Sequence, residues 1–197
     1  VITNNKSIKD CIISARKNLD IIISNERLFP AEIFMHQQKN RETILLNRLK
    51  KIDGLYDYIL LDCSPSINLM NQNALLFSKN VMIPVSMEYM SLVGIKQLIK
   101  NIHLLNKTFN ENIKVSKIIP TFYDKNRKKS KSVLKSLDRV FSEFLTTPIR
   151  TSISISEAAG FGQTIFEFDP KSKAANDFKK LSEEVIKSWV KKILMTH

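Results

Sequence analysis

The side chains best placed to do chemistry in this sequence are one carboxylate and a run of bases. In "YDYILLDCSPS" (56–66), four apolar or aromatic residues, Tyr58 to Leu61, lead into Asp62; Cys63 follows and Pro65 closes the segment. A carboxylate carried to the end of an apolar strand can hold a cation or its water, or it can cap the next turn or helix, and spacing alone leaves both open. Between Thr121 and Arg139 stand seven bases (Lys125, Arg127, Lys128, Lys129, Lys131, Lys135, Arg139) against two acids, Asp124 and Asp138. Such a run is either a solvated helix face or a surface for phosphates. Cys63 has no His in a matching motif and reads as a structural thiol. The histidines are scattered, and Cys11 and Cys63 form no C-x-x-C, so neither a disulfide framework nor a zinc site is expected.

The elements that must position these residues follow from the apolar pattern. With 197 residues, 43% of them hydrophobic, one domain over 1–197 is expected. A net charge of +12, from 31 Lys+Arg and 19 Asp+Glu, points to an acidic partner, nucleic acid or an anionic membrane surface. No apolar run approaches the ~18 residues of a membrane span, and the start has no signal-peptide pattern. A reducing, cytoplasmic setting is the reading. Strands are expected at 19–24, 56–62, 81–85 and 113–121, and helices at 31–52, from Pro65–Ser66 onward, at 91–109, at 127–145 and at 174–194. Near-continuous apolar strands separated by helices predict a three-layer α/β domain with a mostly parallel sheet and helices on both faces. In such sheets ligands sit beyond the carboxyl ends of the strands, where Asp62 falls.

Five segments, in order, carry a family resemblance. They are "NLDIIISNERLFPAEI", "YDYILLDCSPSINLMNQNAL", "VMIPVSMEYMSLVGIKQL", "IIPTFYDKN" and "ISEAAGFGQTIFEFDPKSKAA". From about Ile8 to the final helix the chain resembles the ParA/Soj branch of the deviant Walker ATPases, within the P-loop NTPase-like folds. Departures are Ser64 for a frequent Pro, Ala174 for a Gly, and Thr151 and Ser154 where many relatives carry Arg.

The resemblance implies ATP and Mg²⁺ as ligands. Asp62 would be the Walker B carboxylate on the metal's water, with Pro65 beside it, and Thr121, Phe122 and Arg150 would line the base pocket. It also implies non-specific DNA binding through Lys125, Arg127, Lys128, Lys129, Lys131, Lys135, Arg150 and Lys171 on a nucleoid-associated ATP-dependent homodimer, released when a ParB-like partner stimulates hydrolysis. None of the four glycines (Gly54, Gly94, Gly160, Gly162) opens a G-x-x-x-x-G-K-[ST], so the sequence has no phosphate cradle. With a Val start, the expectation is a truncated piece lacking an upstream strand, P-loop, helix and second strand, and inactive alone. The terminal stripe Phe178, Leu181, Val185, Trp189 and Ile193, with lysines around it, keeps a MinD-like peripheral-membrane ATPase open as the rival. A nucleotide-independent DNA-binding module is the other alternative.

Overall fold

The computed structural model describes residues 7–26, 28–64 and 68–194, with side chains to Trp189. The chain divides into two compact units, Val1–Lys79 with Leu104–Ile113, and Asn80–His103 with Lys114–His197. Among the described residues no helix is long and apolar enough to cross a membrane.

The first unit opens with an antiparallel hairpin of β1 (Ile13–Arg16) and β2 (Leu19–Ile21), every residue of which is exposed. This corrects the expected buried parallel strand at 19–24. Asn18 takes φ +60°, a left-handed conformation that Asn tolerates, and the two-residue turn it makes with Lys17 folds the chain back on itself. The single helix expected over 31–52 is also corrected. It is α1 (Leu28–His36), a 3-10 turn at Arg41–Thr43, α2 (Ile44–Leu49) and a second 3-10 turn at Lys50–Ile52. The break falls at Asn40, again left-handed at φ 56°. Helix α3 (Leu69–Ser78) follows, its N-cap Asn68 accepting from the Asn71 amide at 2.9 Å.

Asn73 fastens this unit together. It is fully buried; its Oδ1 accepts from the Leu45 amide at 3.0 Å and its Nδ2 donates to the carbonyls of Arg41 (2.8 Å) and Leu69 (2.9 Å). All its strong groups are thereby satisfied by backbone, as a buried amide requires.

The second unit is built on β3 (Asn80–Ser86) and β4 (Lys114–Thr121), paired in parallel from Asn80 opposite Lys114 to Ser86 opposite Thr121. On the other side of β4, residues 144–151 run parallel to it, through Ile118 with Leu145 and Tyr123 with Arg150. Helix α4 (Tyr89–Phe109) joins β3 to β4, and α5 (Lys128–Phe141) joins β4 to that third segment. Their apolar faces and the strands enclose a core of Ile83, Val85, Ile95, Ile118, Val133 and Leu137. Then come α6 (Ile153–Gly160), α7 (Ile165–Phe168) and α8 (Lys173–Leu194). The α/β reading with a parallel sheet and crossover helices therefore holds.

Candidate functional site

Asp62 ends an extended run that forms no ladder among the described residues, so the strand expected at 56–62 is corrected in that respect. Its side chains still alternate. Ile59 and Leu61 pack on the Ile8–Leu49–Ile52 cluster, whereas Leu60 is 71% exposed. A period of two buries one face and delivers Asp62 to the end, exposed. Beyond it, the Ser64 carbonyl accepts from Asn71 Nδ2 at 2.7 Å, tying the segment to α3. The described helix begins at Leu69; Pro65, expected to open it and to flank the ligand, lies outside the described residues. Partial burial, and then the Asp62 charge, push the Cys63 thiol above its ordinary value, which favours the unreactive protonated form.

In the second unit the carboxyl ends of β3 and β4 border a cavity of about 320 Å³, whose walls include Ser86, Glu88, Phe122, Asp124, Lys129 and Ser130. Thr121 is the last residue of β4, and Phe122 turns out of it at φ +54° with its ring 68% exposed. A bulky residue held at positive φ is a local strain, fixed here by the Tyr123 amide bonded to the Ile149 carbonyl and the Thr151 amide to the Tyr123 carbonyl. The outcome is an aromatic face standing free at the cavity's edge.

The expected bases separate into two groups. Lys128, Lys131, Lys135 and Arg139 are exposed and recur at spacings of three and four on α5, opposite the buried Val133 and Leu137. On a helix that spacing places them in one stripe about 16 Å long. Lys125 and Lys171 are also exposed, in turns. The others are held by acids: Arg127 by Asp124 at 3.2 Å, Lys129 by Glu88 at 2.5 Å, and Arg150 by Asp177 through Nε at 2.6 Å and Nη2 at 2.8 Å.

Arg150 is the most committed of these. Asp177, on α8, is only 3% exposed and also accepts from the Arg150 amide at 3.2 Å. Burial by itself would raise the Asp177 carboxyl; bonds from the Arg150 side chain and amide, then the Arg150 and Lys180 charges, outweigh it and hold the carboxyl below its usual range. Two turns on, Glu184 accepts from the Thr147 hydroxyl at 2.5 Å and amide at 3.0 Å. Acids on α8 thus clamp the third parallel segment, and Phe178 packs with Ile165, Ala174 and Ala175. The "DPKS" segment starts this helix, because Ser172 Oγ donates to the Asp169 carbonyl at 2.8 Å and accepts from the Ala175 amide at 3.0 Å. Ile193 lies beyond the described side chains. Sequence reasoning missed Glu88, Ser130 and Asp177; the two acids are 41 and 27 residues from their partners, a distance that no local motif bridges.

Comparison with known proteins places these features in a family. A family model described as an AAA domain matches residues 1–115. The sporulation initiation inhibitor protein Soj of Bacillus subtilis is 33% identical over 170 residues, covering 86% of this chain and 67% of that protein. The chromosome partitioning protein ParA of Myxococcus xanthus is 31% identical over 170 residues, covering 86% of this chain and 60% of that protein. The chain therefore spans about two thirds or less of the length of these relatives. Among solved structures, the Mycobacterium smegmatis cobyrinic acid a,c-diamide synthase with bound ATP analog and magnesium shares the fold at a TM-score of 0.77 and 22% identity, covering 94% of this chain and 69% of that one.

Proposed function

This chain belongs to the AAA-domain family, in its ParA/Soj partitioning branch, and on that premise we propose that it is the DNA-facing and strand-end portion of an ATP-dependent partitioning ATPase. The observation that carries the DNA part is the α5 stripe. Lys128, Lys131, Lys135 and Arg139 face solvent along one side of a helix whose other side is core, and none is held by an acid among the described residues. A row of unpaired cations on a rigid helix neutralises successive phosphates and reads no base.

Fit to ATP and Mg²⁺ is divided. Asp62 is exposed at the end of its extended run and, among the described residues, has no ion pair, as a carboxylate orienting a metal-bound water must be, and Phe122 offers a ring face suited to a base. The 197 residues contain no glycine-rich P-loop, and among the described residues no cluster of three His, Cys, Asp or Glu could hold a metal alone. These residues thus supply the water-orienting carboxylate and the base-side contacts, not the phosphate cradle. When bound, ATP with Mg²⁺ supplies the phosphoanhydride whose hydrolysis drives the cycle. Around it we place an ATP-dependent homodimer on the nucleoid and a ParB-like partner that stimulates release. Arg150 serves as a positioning residue through Asp177. The membrane-binding rival is disfavoured by the packing of Phe178 and by the Asp177 and Glu184 bonds, which spend that face of α8 on its own unit.

The test is fluorescence anisotropy on unrelated duplexes across a salt series. Replacing Lys128, Lys131 and Lys135 by Gln is expected to weaken all duplexes alike and to flatten the log–log salt slope by roughly 2 to 3. An affinity indifferent to salt, or unchanged in the triple variant, would sink the DNA reading.

A further inference from the structure

Asp62 stands between two anchors. On one side Leu61 packs on the Ile8–Leu49–Ile52 cluster, and on the other Asn71 grips Ser64. Asn71 lies on α3 and is only 9% exposed. Its Nδ2 donates to the Ser64 carbonyl at 2.7 Å and to the Ser64 hydroxyl at 3.3 Å. Cys63 alone separates that grip from the carboxylate, whose own side chain is left exposed.

Ser64 occupies a position where relatives frequently carry Pro. A Pro there fixes its own φ and biases the preceding residue, Cys63, toward extended backbone. Ser imposes neither restriction, so the backbone joined to Asp62 gains conformational freedom. Hydrogen bonds from a buried amide take that freedom away again, and such an amide is costly to leave unbonded, so it holds Ser64 firmly. The grip also has a rigid base. Asn68 Oδ1 accepts from the Asn71 backbone amide at 2.9 Å, and Asn68 Nδ2 reaches Glu32 on α1 at 3.5 Å. Asn73, two residues along α3, bonds the Leu45 amide and the Arg41 carbonyl. Helix α3 is thus tied to α1 and α2, and Asn71 carries its rigidity to the end of the 56–62 run.

We propose that Asn71 is a positioning residue for the Asp62 carboxylate, holding the backbone beyond it by side-chain bonds where a proline would hold it covalently. The inference rests on the reading of Asp62 as the carboxylate that orients a metal-bound water. A group in that role acts through a bond of fixed direction, which requires its backbone to be held within about 0.5 Å.

The experiment uses the 197-residue chain and the gene's complete product. In the chain, nitrogen NMR relaxation should give Asp62 and Cys63 amide order parameters near ~0.85 in wild type and below about 0.6 in Asn71→Ala. Adding Ser64→Pro to Asn71→Ala should restore the rigid values. Asn73→Ala removes another buried amide from α3, one bonded to Leu45, Arg41 and Leu69, and should leave both order parameters unchanged. In the complete product, Asn71→Ala should lower kcat for ATP hydrolysis roughly tenfold to a hundredfold with the KM for ATP unchanged, and Ser64→Pro should restore it. If Asn71→Ala leaves the order parameters or kcat at wild-type values, if Asn73→Ala loosens 62–63 equally, or if Ser64→Pro restores neither, the positioning role is wrong. Loss of hydrolysis in Asp62→Ala would then still uphold the reading of Asp62. If Asp62→Ala hydrolyses ATP like wild type, that reading is wrong and the positioning role falls with it.

Discussion

Replacing Arg150 by Ala should destabilise the second unit far more than it weakens any ligand. Asp177 is 3% exposed and receives two bonds from the guanidinium, at 2.6 and 2.8 Å, and one from the Arg150 amide at 3.2 Å. Removing one partner of a buried pair costs about 3–5 kcal/mol, because the remaining charge is stranded. The Arg150 side chain is 40% exposed, so water reaches that side of the pair and the expected loss is lower, about 2–3 kcal/mol. For a chain of this length that is a fall of roughly 6–9 °C in thermal midpoint. The sign with pH is fixed by the lowered Asp177 pKa. The pair's contribution is fully present above the ordinary carboxylate value near ~4 and is lost as pH falls through the still lower folded value. Thermal melts by circular dichroism from neutral pH into acid should therefore show the wild type converging on Arg150→Ala below about pH 4, and Arg150→Ala with Asp177→Asn regaining part of the loss at neutral pH. A single variant within about 0.5 kcal/mol of wild type at pH 7, the scale of an ordinary surface change, would refute the reasoning.

Three further outcomes follow from the packing and the strand-end chemistry. Leu137→Ala, at a fully buried position between α5 and the sheet, should cost about 3 kcal/mol in a denaturant titration of the second unit. Asn73→Ala should cost a similar amount, about 3 kcal/mol, by stranding the Leu45 amide and the Arg41 carbonyl; Asn73→Asp should be no better, since it keeps the acceptor and loses both donated bonds. In a Cys11→Ser background, iodoacetamide should modify Cys63 slowly at pH 8, and Asp62→Asn should accelerate it by lowering the thiol's raised pKa; equal rates would show that the Asp62 carboxylate does not face the thiol.

The parts of this fold that could be read in advance are those where burial writes itself into the residue pattern. β3 and β4 are paired, covered strands and appear as continuous apolar runs, and α5 shows its core face through Val133 and Leu137 with bases opposite. The misread parts turn on single backbone conformations. Asn18 and Asn40 both adopt the left-handed region, closing a hairpin in one place and opening the 3-10 turn that follows α1 in the other, and neither changes the hydrophobic pattern around it. The run at 56–62 kept its alternation and its terminal carboxylate, so Asp62 was legible even though the run forms no ladder among the described residues. The strain at Phe122 and the pairings Glu88–Lys129 and Arg150–Asp177 were not legible, since each depends on segments brought together by the fold. That is also why the bonds from Arg150, which the resemblance sets in the base pocket and on the DNA surface, to Asp177 on α8 could not be read in advance.

The central claim is that Asp62 and the α5 bases belong to one nucleotide-controlled DNA-binding activity. Its most direct test is the affinity of the gene's complete product for unrelated duplex DNA with and without ATP·Mg²⁺, alongside this 197-residue chain and an Asp62→Ala variant of the complete product. The expected result is salt-sensitive binding that ATP·Mg²⁺ strengthens in the complete product, while the variant and the 197-residue chain bind weakly and without response to nucleotide. Equal binding by all three, indifferent to nucleotide, would contradict it and leave α5 as a DNA-binding surface in its own right.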